Sequence, residues 1–294
     1  MAEFWAILNR RISIATGRPF TSQQRQPLGG GCINEAWRLS DGVRDYFVKL
    51  NTRGEPSMFE AEAAGLEELA ATAALRVPEP ICCGLIGQQA YLVLEYIPLV
   101  KIDTKAMEEL GRRLALLHGR KQPYFGWHRN NTIGATSQPN DRCENWVDFW
   151  RERRLGHQLR LAASNGHGGT LQRQGERLLA RLETLFAGYR PAPALLHGDL
   201  WSGNVGRAES GEPVLFDPAV YYGDREADLA MTELFGGFSE SFYRAYSEVL
   251  PLRDGYPLRR TLYNLYHVLN HLNLFGGAYR SQAETMILRL LSEF

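Results

Sequence analysis

The chain has 294 residues, and its 33 Lys and Arg residues balance 33 Asp and Glu residues to a formal net charge of zero. This balance excludes a protein that binds nucleic acid mainly through a surplus of positive charge. Hydrophobic residues make up 44% and charged residues 22% of the chain, which is typical of a globular rather than a disordered protein. The length suits one large domain or two smaller lobes, each with its own core.

The cysteines and the apolar segments indicate a reducing, cytoplasmic setting. Two of the four cysteines are adjacent and none forms a CxxC pair, which argues against a disulfide framework and a cysteine-based zinc site. Segment 1–13 carries Glu3 and no basic stretch ahead of an apolar run, so it predicts a first helix rather than a signal peptide. Segment 90–100, the longest apolar stretch, contains Glu95 and is shorter than the roughly 20 residues of a membrane span. We therefore expect no membrane partner.

The first hundred residues predict a small sheet with helices. Amphipathic spacing predicts a helix over 4–16, and an Ala-rich segment that begins near Pro56 predicts a second helix over 56–75. β-branched and aromatic residues, with a Ser-Asp-Gly turn at 40–42, predict short strands. The five strand segments are 24–31, 33–42, 44–51, 81–87 and 89–97.

After Pro98 the pattern becomes helical, with one non-helical segment at 194–226. The predicted helices are 103–118, 141–163, 169–188, 225–235, 238–249, 258–275 and 278–293. The sequence thus predicts an α+β fold with two lobes. Residues 1–97 form an antiparallel-sheet lobe, residues 98–294 form a helical lobe, and a short linker lies near 97–102.

The strongest chemical pattern lies in the non-helical segment, in LLHGDLWSGNV (195–205) and VLFDPA (214–219). Asn204 follows Asp199 by five residues, and Asp217 follows it by eighteen, at the end of a second strand. Phosphoryl transfer to a hydroxyl needs one carboxylate to accept the proton, and an amide oxygen and a second carboxylate to hold Mg²⁺ on the phosphates of ATP. The Asp-to-Asn spacing matches that of the kinase catalytic loop, and Pro218 stands where Phe follows the metal-binding Asp in protein kinases.

A lysine and a glutamate nearer the start complete a kinase-like set. Lys49, in strand segment 44–51, points either to solvent or into a cleft; a kinase needs a lysine there to hold the α- and β-phosphates, and a helix carboxylate to orient it. On the predicted helix 56–75, Glu62 lies at the edge of the apolar stripe, whereas Glu60 and Glu67 point away. We therefore pair Glu62 with Lys49; the alternative is an ordinary boundary glutamate.

The turn LGGGCINEAW (28–37) joins two predicted strands. Gly30 and Gly31 would let backbone N–H groups approach phosphate oxygens, although a plain hairpin is the alternative. A strand rather than a helix follows, so the turn is not a dinucleotide-binding fingerprint. Cys32 would face the same N–H dipoles, which suggests redox control through an intermolecular disulfide, and hence a monomer or a redox-dependent dimer. The alternative for Cys32 is a small filler residue.

Other polar residues favour structural interpretations. Asp224 suits the start of the helix at 225–235, and we expect Asp228 to tie the catalytic loop to the helical lobe; a third metal ligand is the alternative. His267 and His271 are four residues apart, but the glutamate of an HExxH zinc motif is missing. His118 is expected to pack at a helix end.

The motifs together resemble the fructosamine kinase (ketosamine-3-kinase) family, part of the aminoglycoside phosphotransferase and choline kinase group of protein-kinase-like folds. The resemblance rests on GGGCIN, FVKL, FEAEAAGL, LVLEYIP, HGDLWSGN, FDPAVYYGDREADLAM and LFGG, and it runs from about residue 5 to 290. It implies a bilobal kinase fold, ATP and Mg²⁺. By position, Asp199 resembles the catalytic base, Asn204 and Asp217 the metal ligands, and Lys49 and Glu62 the ATP-orienting pair.

The same resemblance implies further site residues. Leu94, Glu95 and Tyr96 fall at the interlobe hinge, where backbone groups would meet adenine. Trp201 is a candidate wall of the sugar pocket, because a flat ring fits the apolar face of a sugar; a simple packing role is the alternative.

The family's reaction is phosphorylation of the 3-hydroxyl of a ketosamine, after which the 3-phosphate eliminates and frees the amine. This implies protein deglycation, with the substrate on a protein lysine or on a small amine. Bacterial and plant members resemble ribulosamine and erythrulosamine kinases more than fructosamine kinases, and we expect the same here. The alternatives are an aminoglycoside or choline kinase with the same fold and a non-catalytic pseudokinase.

Overall fold

The computed structural model describes residues 2–29, 33–52 and 56–293. The chain forms two compact units, one of residues up to Ala106 with Gly206–Pro218, and one of Met107–Val205 with residues from Ala219 onward. The lobes predicted from sequence, 1–97 and 98–294, stay a prediction. In the compact units, segments 98–106 and 206–218 belong with the first unit.

The first unit is built on a five-stranded antiparallel sheet with strand order β1-β2-β3-β5-β4. All five predicted strands and both predicted helices are present. The elements are α1 (Ala2–Thr16), β1 (Gln24–Leu28), β2 (Glu35–Ser40), β3 (Asp45–Asn51), α2 (Pro56–Ala71), β4 (Pro80–Ile86), β5 (Gln89–Glu95) and the short β6 (Leu99–Val100).

The two faces of the sheet have different contents because side chains alternate along a strand. On the central strand β3, Val48 and Leu50 are buried in a cluster with Leu8 and Ile12 of α1. Lys49, between them, therefore lies on the opposite face, in register with Ala36 and Leu92 on the neighbouring strands. Alternation thus directs Lys49 away from the α1 cluster.

The second unit is mainly helical, and every predicted helical segment contains a helix. Its elements begin within α3 (Thr104–His118). They continue with β7 (Asn131–Ile133), β8 (Thr136–Gln138), α4 (Trp146–Phe149), a π-helical segment (Trp150–Leu155), α5 (Gly156–Ser164), α6 (Thr170–Leu179), α7 (Leu182–Leu185), β9 (Ala194–Leu196), β10 (Val205–Ala208), β11 (Pro213–Leu215), β12 (Tyr221–Gly223), α8 (Glu226–Leu234), α9 (Glu240–Val249), α10 (Tyr256–Phe275) and α11 (Ala278–Leu291). Residues 206–208 of β10 and all of β11 lie in the first unit. The predicted α+β class, with an N-terminal antiparallel sheet followed by mostly helical structure, is confirmed.

Two predictions about the helical part were wrong in detail. The helix predicted from 141 begins only at Trp146, because the side chain of Asn145 caps it by accepting from the N–H groups of Val147 and Asp148. The segment 194–226 is not the sole non-helical insert, since the β7–β8 hairpin also lies between helices. Three-residue strands are too short for a period-2 pattern to stand out.

The loop of residues 197–204 follows a buried strand pair. Strand β9 pairs antiparallel with β12, with Leu196 opposite Tyr221, and the chain then runs through 197–204 before β10 begins. The pair fixes where this loop starts. No helix in the described ranges has the length and apolar character needed to cross a bilayer.

Candidate functional site

A buried ion cluster forms in the first unit. Nζ of Lys49 donates to Oε1 of Glu62 and to Oδ1 of Asp217, each at 2.6 Å. The Lys49 side chain is 7% exposed and that of Glu62 is 12% exposed, whereas that of Asp217 is 46% exposed. The structure confirms the predicted pairing of Lys49 with Glu62 and excludes a solvent-facing Lys49. It adds Asp217, 168 residues away, as a second partner.

The charges in this cluster keep Lys49 protonated. Burial alone would lower the pKa of Lys49, but the negative charges of Asp217 and Glu62 raise it above its ordinary value. Burial raises the pKa of Glu62, an effect that the Lys49 charge opposes and the Asp217 charge reinforces. An ammonium group that two carboxylates hold in place can donate hydrogen bonds to phosphate oxygens.

Asp217 is held in an unusual backbone conformation. Its φ angle is +55°, in the left-handed region that non-glycine residues seldom occupy, although Asp tolerates it better than most. Such conformations concentrate at functional sites, where surrounding structure holds the backbone in place. The turn after β11 thus presents a partly exposed carboxylate on a constrained backbone.

The second unit holds Asp199 and Asn204 together in the loop after β9. Nδ2 of Asn204 donates to the backbone oxygen of Asp199 at 2.9 Å and to its Oδ2 at 3.2 Å. Asn204 is 5% exposed. It ends the single 3₁₀ turn Ser202–Asn204, which leads directly into β10. The five-residue spacing thus brings the amide against the carboxylate, as the sequence pattern requires.

Asp228 fastens this loop to α8, as predicted. Its Oδ2 accepts the N–H of His197 at 2.7 Å and its Oδ1 accepts the N–H of Gly198 at 2.8 Å. Burial would raise the pKa of Asp228, but hydrogen bonds from His118 and the loop hold it below its ordinary value. The alternative of a metal ligand loses support, because both carboxylate oxygens are engaged by N–H donors.

His118 is a functional candidate that sequence reasoning missed. Its Nε2 lies 3.2 Å from Oδ2 of Asp228 and its Nδ1 lies 2.9 Å from the hydroxyl of Tyr246, which accepts from Nη1 of Arg225 at 3.0 Å. The sequence placed His118 only at a helix end. Its partners lie 110 and 128 residues away, beyond any local pattern.

Gly198 is required by the loop geometry. Its φ is +83°, and a Cβ there would lie 2.0 Å from the carbonyl oxygen of Ala219. Only glycine satisfies both conditions. Gly198 thus lets the loop of residues 197–204 lie against Ala219.

Trp201 and the hinge residues occupy defined positions. The Trp201 ring lies over Gly203, where a Cβ would come within 2.2 Å of it, and meets Phe235 edge-to-face at 6.2 Å. Leu94 is buried within β5, and Tyr96 follows the strand with Arg38 above its ring at 4.8 Å. The sugar-wall and adenine-contact assignments stay predictions.

Glu95, at the predicted hinge, has partners within the first unit. The N–H of Glu95 donates to the carbonyl oxygen of Glu79 at 2.8 Å, and its carboxylate pairs with Arg76. Gly30, Gly31 and Cys32 lie outside the described residues, so their phosphate and redox assignments stay predictions; the flanking strands β1 and β2 do pair antiparallel.

The candidate metal ligands offer the donor atoms that Mg²⁺ prefers. Asp217 carries a carboxylate, and Asn204 carries an amide oxygen besides the Nδ2 that is directed to Asp199. In residues 2–29, 33–52 and 56–293, no three His, Cys, Asp or Glu side chains gather into a metal site. Mg²⁺ in phosphoryl transfer is usually held by one or two carboxylates together with substrate phosphates, and the carboxylate and amide oxygens of these residues are donors of the type that it takes.

Comparison with known proteins adds sequence relationships. Residues 4–293 match the fructosamine kinase family. The chain is 48% identical over 290 residues to a probable ketoamine kinase of Synechocystis sp., covering 98% of this chain and 97% of that protein. It is 44% identical over 270 residues to the chloroplastic protein-ribulosamine 3-kinase of Arabidopsis thaliana, covering 90% of this chain and 82% of that one.

Solved structures share the fold over nearly the full length. A structure from Haemophilus somnus described as a fructosamine-3-kinase superposes with a TM-score of 0.89 at 30% identity, covering 97% of this chain and 96% of that one. An aminoglycoside phosphotransferase superposes with a TM-score of 0.65 at 17% identity, covering 97% and 98%. The second similarity concerns the fold alone.

Proposed function

This chain belongs to the fructosamine kinase family, and on that premise we propose that it transfers the γ-phosphoryl group of ATP to the 3-hydroxyl of a ketosamine. The observation that carries the proposal is the loop of Asp199 and Asn204, held on Asp228 by two backbone hydrogen bonds. A carboxylate fixed in this way can accept the proton of an attacking hydroxyl.

The residues divide the work of the reaction. Asp199 accepts the proton of the 3-hydroxyl as the hydroxyl oxygen attacks the γ-phosphorus of ATP. Lys49, oriented by Glu62, holds the α- and β-phosphates. Asn204 and Asp217 are the ligands for Mg²⁺, which when bound neutralises charge on the phosphates. Backbone groups of Gly30 and Gly31 are proposed to contact phosphate, and those of Leu94, Glu95 and Tyr96 to contact adenine.

The substrate is proposed to be a ribulosamine or erythrulosamine, with fructosamine as a further candidate. Identity of 44% to a protein-ribulosamine 3-kinase supports the shorter sugars. The carrier is a protein lysine or a small amine, and elimination of the 3-phosphate would free it, which makes the reaction a deglycation. We propose a cytoplasmic setting, with Trp201 at the sugar and Cys32 as a candidate redox residue.

An acceptor panel tests the proposal. Purified protein with Mg²⁺ and ATP is offered ribulosyl-, erythrulosyl- and fructosyl-lysine, choline and an aminoglycoside, and ADP release is measured. The proposal predicts that ribulosyl- or erythrulosyl-lysine gives the highest kcat/KM. If choline or the aminoglycoside gave the highest kcat/KM, the ketosamine would be wrong as the acceptor, although the kinase fold would stand. Absence of a thermal shift with Mg·ATP would favour a pseudokinase.

A further inference from the structure

The same four residues, Leu-Phe-Gly-Gly, occur twice in the second unit, at 234–237 and 274–277. Each copy ends a helix: α8 stops at Leu234 and α10 stops at Phe275. After each phenylalanine the chain turns through glycines of positive φ, +90° at Gly236 and +92° at Gly276. A Cβ at any of the four glycines would meet no atom within 4 Å, so open space surrounds both turns.

The two phenylalanine rings meet at one histidine. The His271 ring lies 4.8 Å from that of Phe235 and 5.5 Å from that of Phe275, and 5.2 Å from that of Tyr279 on α11. Through its 6.2 Å contact with Trp201, Phe235 extends the series to the catalytic loop. We call these five residues the aromatic row.

The aromatic row is accessible along its length. Trp201, Phe235, His271 and Tyr279 are partly exposed, and Phe275 is 56% exposed. Contiguous exposed rings on a folded chain are a usual sign of a binding surface. The row is therefore a candidate binding surface.

The row begins beside the proposed base. Trp201 follows Asp199 by two residues. Helix α10, which supplies His271, connects to this loop through ring contacts, because His271 meets Phe235 and Phe235 meets Trp201. A molecule whose hydroxyl reaches Asp199 would thus have the rings next to it.

The charge of the row suits a cation with an apolar stem. Burial lowers the pKa of His271, so the ring is neutral at pH 7. The faces of aromatic rings attract cations, and an alkyl chain packs against them when its charged head stays near water. A ketosamine on lysine has this composition, an ammonium group followed by a four-carbon stem.

We propose that the aromatic row binds the amine carrier of the ketosamine, with the alkyl stem of a glycated lysine lying along Phe235 and Phe275. The inference rests on the proposed function and deepens it: Asp199 acts on the sugar and the row selects what the sugar is attached to. The open turns after both phenylalanines leave room for the peptide that carries the lysine.

The test compares two acceptors with the same sugar. Ribulosyl-Nα-acetyl-lysine carries the stem, whereas 1-amino-1-deoxyribulose lacks it, and kcat/KM is measured for both with Mg·ATP. The ratio of interest is kcat/KM for the acceptor with the stem divided by kcat/KM for the acceptor without it. Phe275→Ala and the conservative Phe235→Leu should each lower this ratio about 3- to 30-fold. The matched control is Leu288→Ala, on α11 and 53% exposed, which should leave the ratio as in wild type. Thermal unfolding confirms that each variant is folded.

The outcomes separate the two proposals. If wild type phosphorylates both ketosamines and neither phenylalanine variant changes the ratio, the carrier site is wrong and the proposed function stands. If wild type phosphorylates no ketosamine but uses choline or an aminoglycoside, the proposed function fails and the carrier site fails with it. A third acceptor, ribose-glycated lysozyme, separates the stem from the protein surface: a loss seen only with lysozyme would contradict binding of the stem.

Discussion

Nε2 of His118 lies 3.2 Å from Oδ2 of Asp228, and both side chains are buried. The hydrogen-bond partners define which nitrogen carries the proton. The pKa of Asp228 is held below its ordinary value, so its carboxylate only accepts, and Nε2–H of His118 donates to it. Nδ1 of the neutral ring then accepts from the Tyr246 hydroxyl, which itself accepts from Arg225. Burial lowers the pKa of His118, which agrees with this neutral, singly protonated ring. A polarised chain of donors therefore ends at the carboxylate that holds the catalytic loop.

Tyr246→Phe tests this chain. The change removes a hydroxyl between buried His118 and partly buried Arg225, so we expect a loss of about 1–3 kcal/mol in the free energy of unfolding. Because the loop loses support, kcat should also fall about 10-fold. Tyr243→Phe is the matched control on the same helix, since its hydroxyl contacts Thr232 and the N–H of Phe238 instead. The control should lose stability but keep kcat. Equal kcat losses in both variants would reject a positioning role.

Glu62→Gln should weaken phosphate binding. The neutral amide leaves Lys49 paired with Asp217 alone, so the ammonium loses one of the two carboxylates that orient it. We expect kcat/KM for ATP to fall about 10- to 100-fold, as for loss of a charged hydrogen bond. Glu60→Gln, two residues away on the same helix and exposed, should stay within about 2-fold of wild type. Initial rates at varied ATP concentration give kcat/KM for each variant. Similar losses of kcat/KM in the two variants would contradict the role of Glu62 in ATP binding.

Gly198→Ala should be far more damaging than an alanine at another left-handed glycine. Gly188 has φ of +75° but nothing within 4 Å of a Cβ, so Gly188→Ala should cost only the backbone strain of about 1–2 kcal/mol. At Gly198 the Cβ would also collide with the Ala219 carbonyl. Chemical denaturation should show the larger loss at 198, with activity lost as well. Equal stabilities would mean that the loop relaxes freely.

His267 should make stability fall in acid. Burial, with the nearby charge of His271, lowers its pKa from 6.5 to about 3. The unfolded chain therefore binds a proton that the folded chain does not between those values. This contribution is complete above pH 6.5 and declines by about 1.4 kcal/mol per pH unit as the pH falls toward 3.

The effect is isolated by comparison with His267→Leu. Other groups titrate in the same range, including Asp224, whose pKa burial raises to about 6 and which acts in the opposite direction. The difference in unfolding free energy between wild type and variant, from urea titrations between pH 5 and 7.5, removes these shared contributions. The difference should shift in favour of the variant as pH falls. A difference that does not vary with pH would show that His267 gains its proton in the folded state.

The site was predictable wherever local spacing determined it. The choice of Glu62 over Glu60 followed from helical periodicity, and the contact of Asn204 with Asp199 followed from a five-residue interval. The link of Asp217 to Lys49 joins residues 168 apart, and no local pattern encodes it. The left-handed φ of Asp217 could not be predicted either, because the preference of Asp for this conformation is too weak to identify one position.

The fold followed the same division. The five strands and the long helices have enough residues for a period to be recognised. The β7–β8 hairpin, with three residues in each strand, does not. The roles of His118 and of the duplicated Leu-Phe-Gly-Gly helix ends depend on which helices pack together, which is a tertiary property.

The rate of Asp199→Asn with ribulosyl-lysine and Mg·ATP tests the central claim most directly. An amide cannot accept the hydroxyl proton, so kcat should fall roughly 10²- to 10⁴-fold, while binding of Mg·ATP and the unfolding temperature stay close to those of wild type. Asp141→Asn is the control, because that exposed carboxylate pairs with Arg153 at the surface. Phosphorylation at the 3-hydroxyl is followed by ³¹P NMR alongside ADP release. An Asp199→Asn protein that formed the 3-phosphate as fast as wild type would contradict the account.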